Sequence, residues 1–255
     1  MDAVSALLPA DLSVWVGALL VVASFFTSAL TAAFGVGGGL AMLALMGLFI
    51  PVAALIPVHG AVQFGSNTGR AWHQRENVRM EVAGPFIGGS IIGAIAGVFL
   101  VVQLPDSLLK LVLGGFIIAI VWFKIPGIER IGRFGLIVWS VFLALLSMMV
   151  GATGPLVSAV FAQFFRSERK ALVATHAAAM TVQHALKIVV FGLAGFAFGD
   201  WLPLVLLMIC SGFLGTIFGT RLLERMPEEV FRKWFKIGIT VLALDLLRRG
   251  IVGWI

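Results

Sequence analysis

Four of the five residues at positions 35–39 are glycine, and a weaker copy of this break, Gly151-Ala152-Thr153-Gly154-Pro155, lies in the second half of the chain. Glycine allows backbone conformations that other residues avoid and leaves its N–H groups uncovered by a side chain. A short apolar run follows each break, so each predicts a helix N-terminus. Such an end carries unpaired N–H groups and the positive pole of the helix dipole, which together attract small anions. Two polar stripes accompany the breaks. His59, Gln63, Asn67 and Arg70 recur at spacings of four, four and three, which places them on one helical face. His176, Gln183 or His184, and Lys187 form the matching stripe. Polar side chains in apolar spans mark a solute pathway or serve as hydrogen-bond glue between helices, and the sequence leaves both readings open. As a binding site, the set comprises Gly35, Gly37, Gly38, Gly39, Gly151, Thr153 and Gly154 from the breaks, and His59, Gln63, Asn67, His176, Gln183 and His184 from the stripes. Arg70 and Lys187 read as vestibule residues toward opposite mouths, drawing the anion in without touching it at the centre.

Other chemistries fit poorly. Gly35-x-Gly37 follows no strand, and no acidic residue stands at the spacing that would hold a ribose, so a dinucleotide site is excluded. The histidines form no HxxxH pair and have no acidic cluster, so no metal or other cofactor is expected. An enzyme would need a nucleophile with an oriented base, and the apolar runs contain neither. No carboxylate lies near the middle of any run, which argues against a sodium or proton site built on Asp or Glu. Proton coupling would then fall to His59, His176 or His184, which titrate in the physiological range, or to the substrate itself.

These residues need a scaffold, and the composition says which kind. The 255 residues are 60% hydrophobic and 12% charged, and mean hydropathy is +1.09. A soluble domain carries about 25% charged residues, so this chain has too little polar surface to coat a globule and its solvent is a lipid bilayer. The net charge of +6 is scattered in short loops between apolar runs, which fits positive-inside topology better than nucleic-acid binding. The single cysteine, Cys210, allows no intrachain disulfide. The start of the chain, with Asp2 and Asp11 and no Lys or Arg among the first eleven residues, does not resemble a cleaved leader.

Apolar runs cover about 12–34, 38–50, 52–72, 82–103, 107–125, 134–150, 154–166, 170–196, 202–221 and 230–247. The second and seventh are short and begin at the glycine breaks. The two sets of five match residue by residue. An offset of 116 carries Gly35, Gly38 and Leu40 onto Gly151, Gly154 and Leu156; an offset of 117 carries His59, Asn67 and Arg70 onto His176, His184 and Lys187. An offset of 122 pairs Gly93 with Gly215, Gly97 with Gly219 and Pro105 with Pro227. The chain is therefore read as two repeats, 1–127 and 128–255, in one all-α polytopic membrane domain.

Basic residues gather at Arg70, Arg75 and Arg79; at Lys124, Arg130 and Arg133; at Arg166, Arg169 and Lys170; and at Arg221, Arg225, Arg232, Lys233 and Lys236. Equivalent loops of the two repeats have opposite charge character. Ten crossings with both termini outside place every basic loop in the cytoplasm and invert one repeat relative to the other, a transporter signature. Folding the short runs back as re-entrant hairpins would make the repeats parallel and put basic loops on both sides.

In these features the chain resembles the sulfite exporter family, also called the toluene sulfonate uptake permeases. The resemblance spans nearly the whole sequence: the break Gly35-Val36-Gly37-Gly38-Gly39, then Gly69-x-x-x-His73 and Asn77-Val78, with the pattern repeated more weakly after Gly151. It implies carriage of sulfite, thiosulfate, sulfonates or related organic anions across the cytoplasmic membrane. The chain departs from the family pattern in having Ala44 where a Pro is common, and Pro57-Val58-His59 where small Gly-Thr-Ser residues are frequent. Expected partners are a small anionic substrate and the bilayer. A passive anion channel of the same architecture is the nearest alternative. No motif specifies oligomeric state, direction of transport or the particular anion.

Overall fold

The computed structural model describes residues 8–9, 12–35, 37–99, 105–123, 131–165, 168–222 and 228–253. Lys124, Arg130, Arg166 and Arg225, the side chains of Arg221 and Arg232, and the chain start with Asp2 and Asp11 fall outside that set.

Among the described residues the chain forms ten α-helices and no strand: α1 (Val14–Phe34), α2 (Gly38–Met46), α3 (Val52–His73), α4 (Met80–Val98), α5 (Asp106–Trp122), α6 (Arg133–Val150), α7 (Gly154–Ala162), α8 (Arg169–Leu193), α9 (Leu202–Leu222) and α10 (Glu228–Val252). Each overlaps one apolar run of the sequence. Among the described residues five segments are long and apolar enough to cross a membrane: α1, α4, α6, α8, and α9 with the 3-10 turn before it. The polar stripe lowers the hydropathy of α3, α5 has only 17 residues, and α10 carries charges along its length. With nine residues each, α2 and α7 rise about 13 Å, less than half the hydrocarbon thickness.

Stop signals are local. Ser13 caps α1 by accepting from the N–H of Val16 (3.4 Å), and Gly35, at φ +80°, ends it with an N–H bond to Thr31 O. Gly151, at φ +79°, ends α6 in the same way on Ser147 O. An L side chain rarely adopts either conformation.

Small residues set the long-range packing. A β-carbon on Gly215 would overlap Phe25 O, one on Gly219 would overlap Ala29 O, and Ser24 Oγ donates to Met208 O (2.7 Å), so α1 and α9 run side by side in the same direction. Gly89 abuts Ile137 and Ser140, Gly93 abuts Val141, and Gly97 abuts Met148, making α4 and α6 parallel in the same manner. The long residues that these contacts leave outward, such as Phe26, Ile95, Phe142 and Leu214, are exposed and suit lipid.

α5 and α10 run antiparallel: Gly250 packs on Leu111, Gly114 on Leu247, and Trp122 Nε1 donates to Thr240 Oγ1 (3.0 Å). α3 and α8 are also antiparallel. Gly60 meets the stem of Lys187, while at the other end His73 shares a pocket of about 370 Å³ with Arg169, Lys170 and Val173. That pocket brings the 73–79 and 168–170 stretches to one face, where Arg79 N also donates to Thr175 Oγ1 (3.0 Å). These principal pairings are unchanged when each helix is exchanged with the one five places along the chain.

Candidate functional site

The two glycine breaks bring the starts of α2 and α7 to the middle of the bundle, beside α3 and α8. Gly37, at φ +107°, turns the chain into α2. α2 then folds back on α1 so closely that a β-carbon on Gly38 would overlap Thr27 O and Thr31 Oγ1. One step around the helix, Gly39 faces Gln63, with a would-be β-carbon 3.2 Å from Oε1. At α7, a β-carbon on Gly154 would make only ordinary contact, 3.6 Å from His176 Nε2.

The helix starts differ in their backbone bonding. In α2, Ala41 donates to Gly37 O (2.9 Å). In α7, Pro155 has no N–H, and Leu156 and Val157 both donate to Thr153 O (3.0 and 3.1 Å), which tightens the first turn.

Two repeat-equivalent histidines hold these ends. His59 Nε2–H donates to Gly39 O (2.9 Å), and His176 Nε2–H donates to Gly154 O (3.1 Å). Each bond ties the start of a short helix to the middle of a long one. His59 Nδ1 and His184 Nδ1 have no partner among the described residues, and the two rings stand edge to face, 6.0 Å between centroids. Asn67 Nδ2 donates to Gln63 O (2.8 Å) and reaches Gln63 Oε1 at 3.4 Å.

These groups surround a small central cavity of about 30 Å³. Gly37, Gly39, His59, Gln63, Asn67, Gly154, His176 and His184 line it. Gly35 and Gly151 are helix stops set back from it, Gly38 is a packing contact with α1, and Thr153 and Gln183 bond each other behind the wall (Thr153 Oγ1 to Gln183 Oε1, 3.1 Å). Thr31, Leu40, Ala152, Pro155 and Met180 complete the lining. Of these, Thr31 was legible: Ser24, Ser28 and Thr31 make a polar stripe on α1 of the same kind as those on α3 and α8.

Arg70 and Lys187, expected at two mouths, are buried and absent from the cavity lining. Arg70 donates to Asn67 Oδ1 (3.1 Å) and Ser66 Oγ (3.3 Å). Lys187 Nζ donates to Gly151 O (2.5 Å). The reason is the close packing of α3 on α8, where Gly60 leaves room for the lysine stem to lie inside the helix pair.

Long apolar helices around a centre lined by histidine, glutamine and asparagine side chains define a multi-pass membrane protein. The family described as Sulfite exporter TauE/SafE matches residues 20–246 of the 255, and the chain belongs to that family. It is thus a membrane transporter of the sulfite exporter family. No curated protein and no solved structure matches the chain.

Proposed function

We propose that the protein is a secondary carrier for a small sulfur-containing anion, such as sulfite, thiosulfate or a sulfonate, in the cytoplasmic membrane. The anion sits in the central cavity, met by backbone N–H groups at the starts of α2 and α7, where Gly39, Leu40 and Gly154 line it, with Gln63, Asn67, His59 and His184 closing the shell. The observation that carries this reading is the convergence of two helix N-termini on one cavity whose helices bring no carboxylate near it. A site so built favours negative charge and disfavours cations.

Transport proceeds by alternating access between the two repeats, 1–127 and 128–255, lying inverted with both termini outward. The antiparallel pairing of α3 with α8 and of α5 with α10 supports that reading, because helices equivalent in an inverted repeat must oppose one another. So does the common face of the 73–79 and 168–170 stretches, both rich in basic residues. Arg70 lies toward that face and Lys187 toward the other, so each biases its own half of the pathway.

The test is a thermal-shift and binding screen of purified protein against sulfite, thiosulfate, ethanesulfonate, acetate and succinate, followed by flux into proteoliposomes. Saturable uptake, with one sulfur anion driving uphill movement of another, is the expected result. Non-saturating flux without counterflow would make the protein a passive channel, and stabilisation by carboxylates alone would exclude the sulfur-anion class.

A further inference from the structure

Lys187 is a buried cation with no counter-charge among the described residues. Its side chain is fully buried, and an ammonium there would have three N–H bonds to place. One goes to Gly151 O at 2.5 Å, and no second acceptor is present among the described residues. The buried ionisable groups on the helix pair that holds it are histidines and one arginine, with no carboxylate among the described residues. α3 contributes His59 and Arg70, and α8 itself contributes His176 and His184, all buried. α7 contributes none; Arg133 of α6 and Glu81 of α4 are exposed at the far ends of those helices, and Asp200, beyond the end of α8, is exposed. No ion pair to Lys187 exists among the described residues.

An unpaired ammonium in such surroundings is costly, whereas a neutral amine accepts burial readily. The balance changes when an anion enters the cavity. Gly151 precedes Ala152 of the cavity wall, and His184, one helical turn before Lys187, lines the cavity too. The anion then supplies the missing counter-charge at short range. Arg70, the repeat-equivalent cation, behaves differently because a guanidinium keeps its proton and already has two side-chain acceptors.

We propose that Lys187 is the proton site of this carrier, so that one proton binds with each anion and crosses the membrane with it. The proton adds to the amine lone pair from water on the side where the anion enters and returns to water where the anion leaves. No other bond is made or broken. A monoanion is carried electroneutrally and a dianion with one net negative charge. The proposal rests on the central-site reading above. It also moves the proton away from His59 and His176, whose Nε2–H groups are committed to holding the short helices.

The probes are thiosulfate and ethanesulfonate, which remain fully ionised through the neutral range and so contribute no protons of their own. With the purified full chain in weak buffer and a pH indicator, binding should take up about one proton per anion, and Kd should rise about tenfold per pH unit. Lys187→Gln and Lys187→Arg, one removing the charge and the other fixing it, should bind without proton uptake and with a flat pH dependence. If neither variant folds, the proton count of the parent decides. Anion binding by the parent without proton uptake overturns the proposal and leaves the central site standing. Uptake that survives in either folded variant places the proton on another group, and also overturns it. If neither anion binds, the central-site reading fails and the proposal falls with it.

Discussion

The starts of α2 and α7 are built alike in one respect and differ in another. What stayed alike is mechanical: a left-handed glycine ends the preceding helix, and a histidine from the long helix holds the new helix by a carbonyl. What changed is the supply of positive potential. At α7, Pro155 has no N–H and the first turn is tightened on Thr153 O, whereas α2 starts on glycines that each keep an N–H. The half with Pro155 at its helix start has Lys187 where the other has Arg70, a cation that can release its proton in place of one that cannot. The two helix starts thus share their histidine ties and differ in their electrostatics, fixed on the side of Arg70 and, on the proposal above, adjustable on the side of Lys187.

The comparison can be broken most forcefully at the glycines. Gly38→Val should cost about 3 kcal/mol or more, because the new side chain meets backbone that cannot move aside. Gly154→Ala, against a histidine at ordinary contact distance, should stay within about 1 kcal/mol of the parent. Thermal melts and yields in detergent measure both; equal losses would mean that the two helix starts are packed alike. The variant that reads binding is instead Gly39→Ala, whose β-carbon presses on Gln63. It should weaken anion affinity roughly tenfold, about 1.4 kcal/mol, with little change in melting temperature.

The charges separate the halves next. Arg70→Gln should lower anion affinity by a similar factor at every pH, whereas Lys187→Gln should lower it most on the acid side and flatten the profile. The sign follows from proton uptake: parent affinity falls as pH rises. Flux in each direction should show Arg70→Gln slowing entry mainly from inside and Lys187→Gln mainly from outside. Identical pH profiles for the two variants would erase the distinction between fixed and adjustable halves.

The smallest effects test the likeness. His59→Ala and His176→Ala each remove one hydrogen bond to a helix-start carbonyl, at about 1 to 2 kcal/mol apiece, and the two losses should agree. The inversion itself is read by labelling: cysteines at 76 and 200 in a Cys210→Ser background should react from opposite sides of the membrane. Reaction from one side would make the repeats parallel.

The ten helices, the two breaks and the polar stripes were legible because each is written in local spacing. Apolar length marks a helix that can lie in lipid, clustered glycine marks a place where it stops, and intervals of three and four put His59, Gln63, Asn67 and Arg70 on one face. The same rules could not say which glycine lines the cavity. Successive residues of a helix point about 100° apart, so Gly38 and Gly39 face different neighbours, and only the packing of α2 between α1 and α3 fixes that one meets Thr27 and the other Gln63. For the same reason spacing placed Lys187 on the polar stripe but not beside Gly151 O, 36 residues away. Its environment depends on how closely α3 and α8 approach at Gly60, a distance set by the whole bundle and by no single segment of the chain.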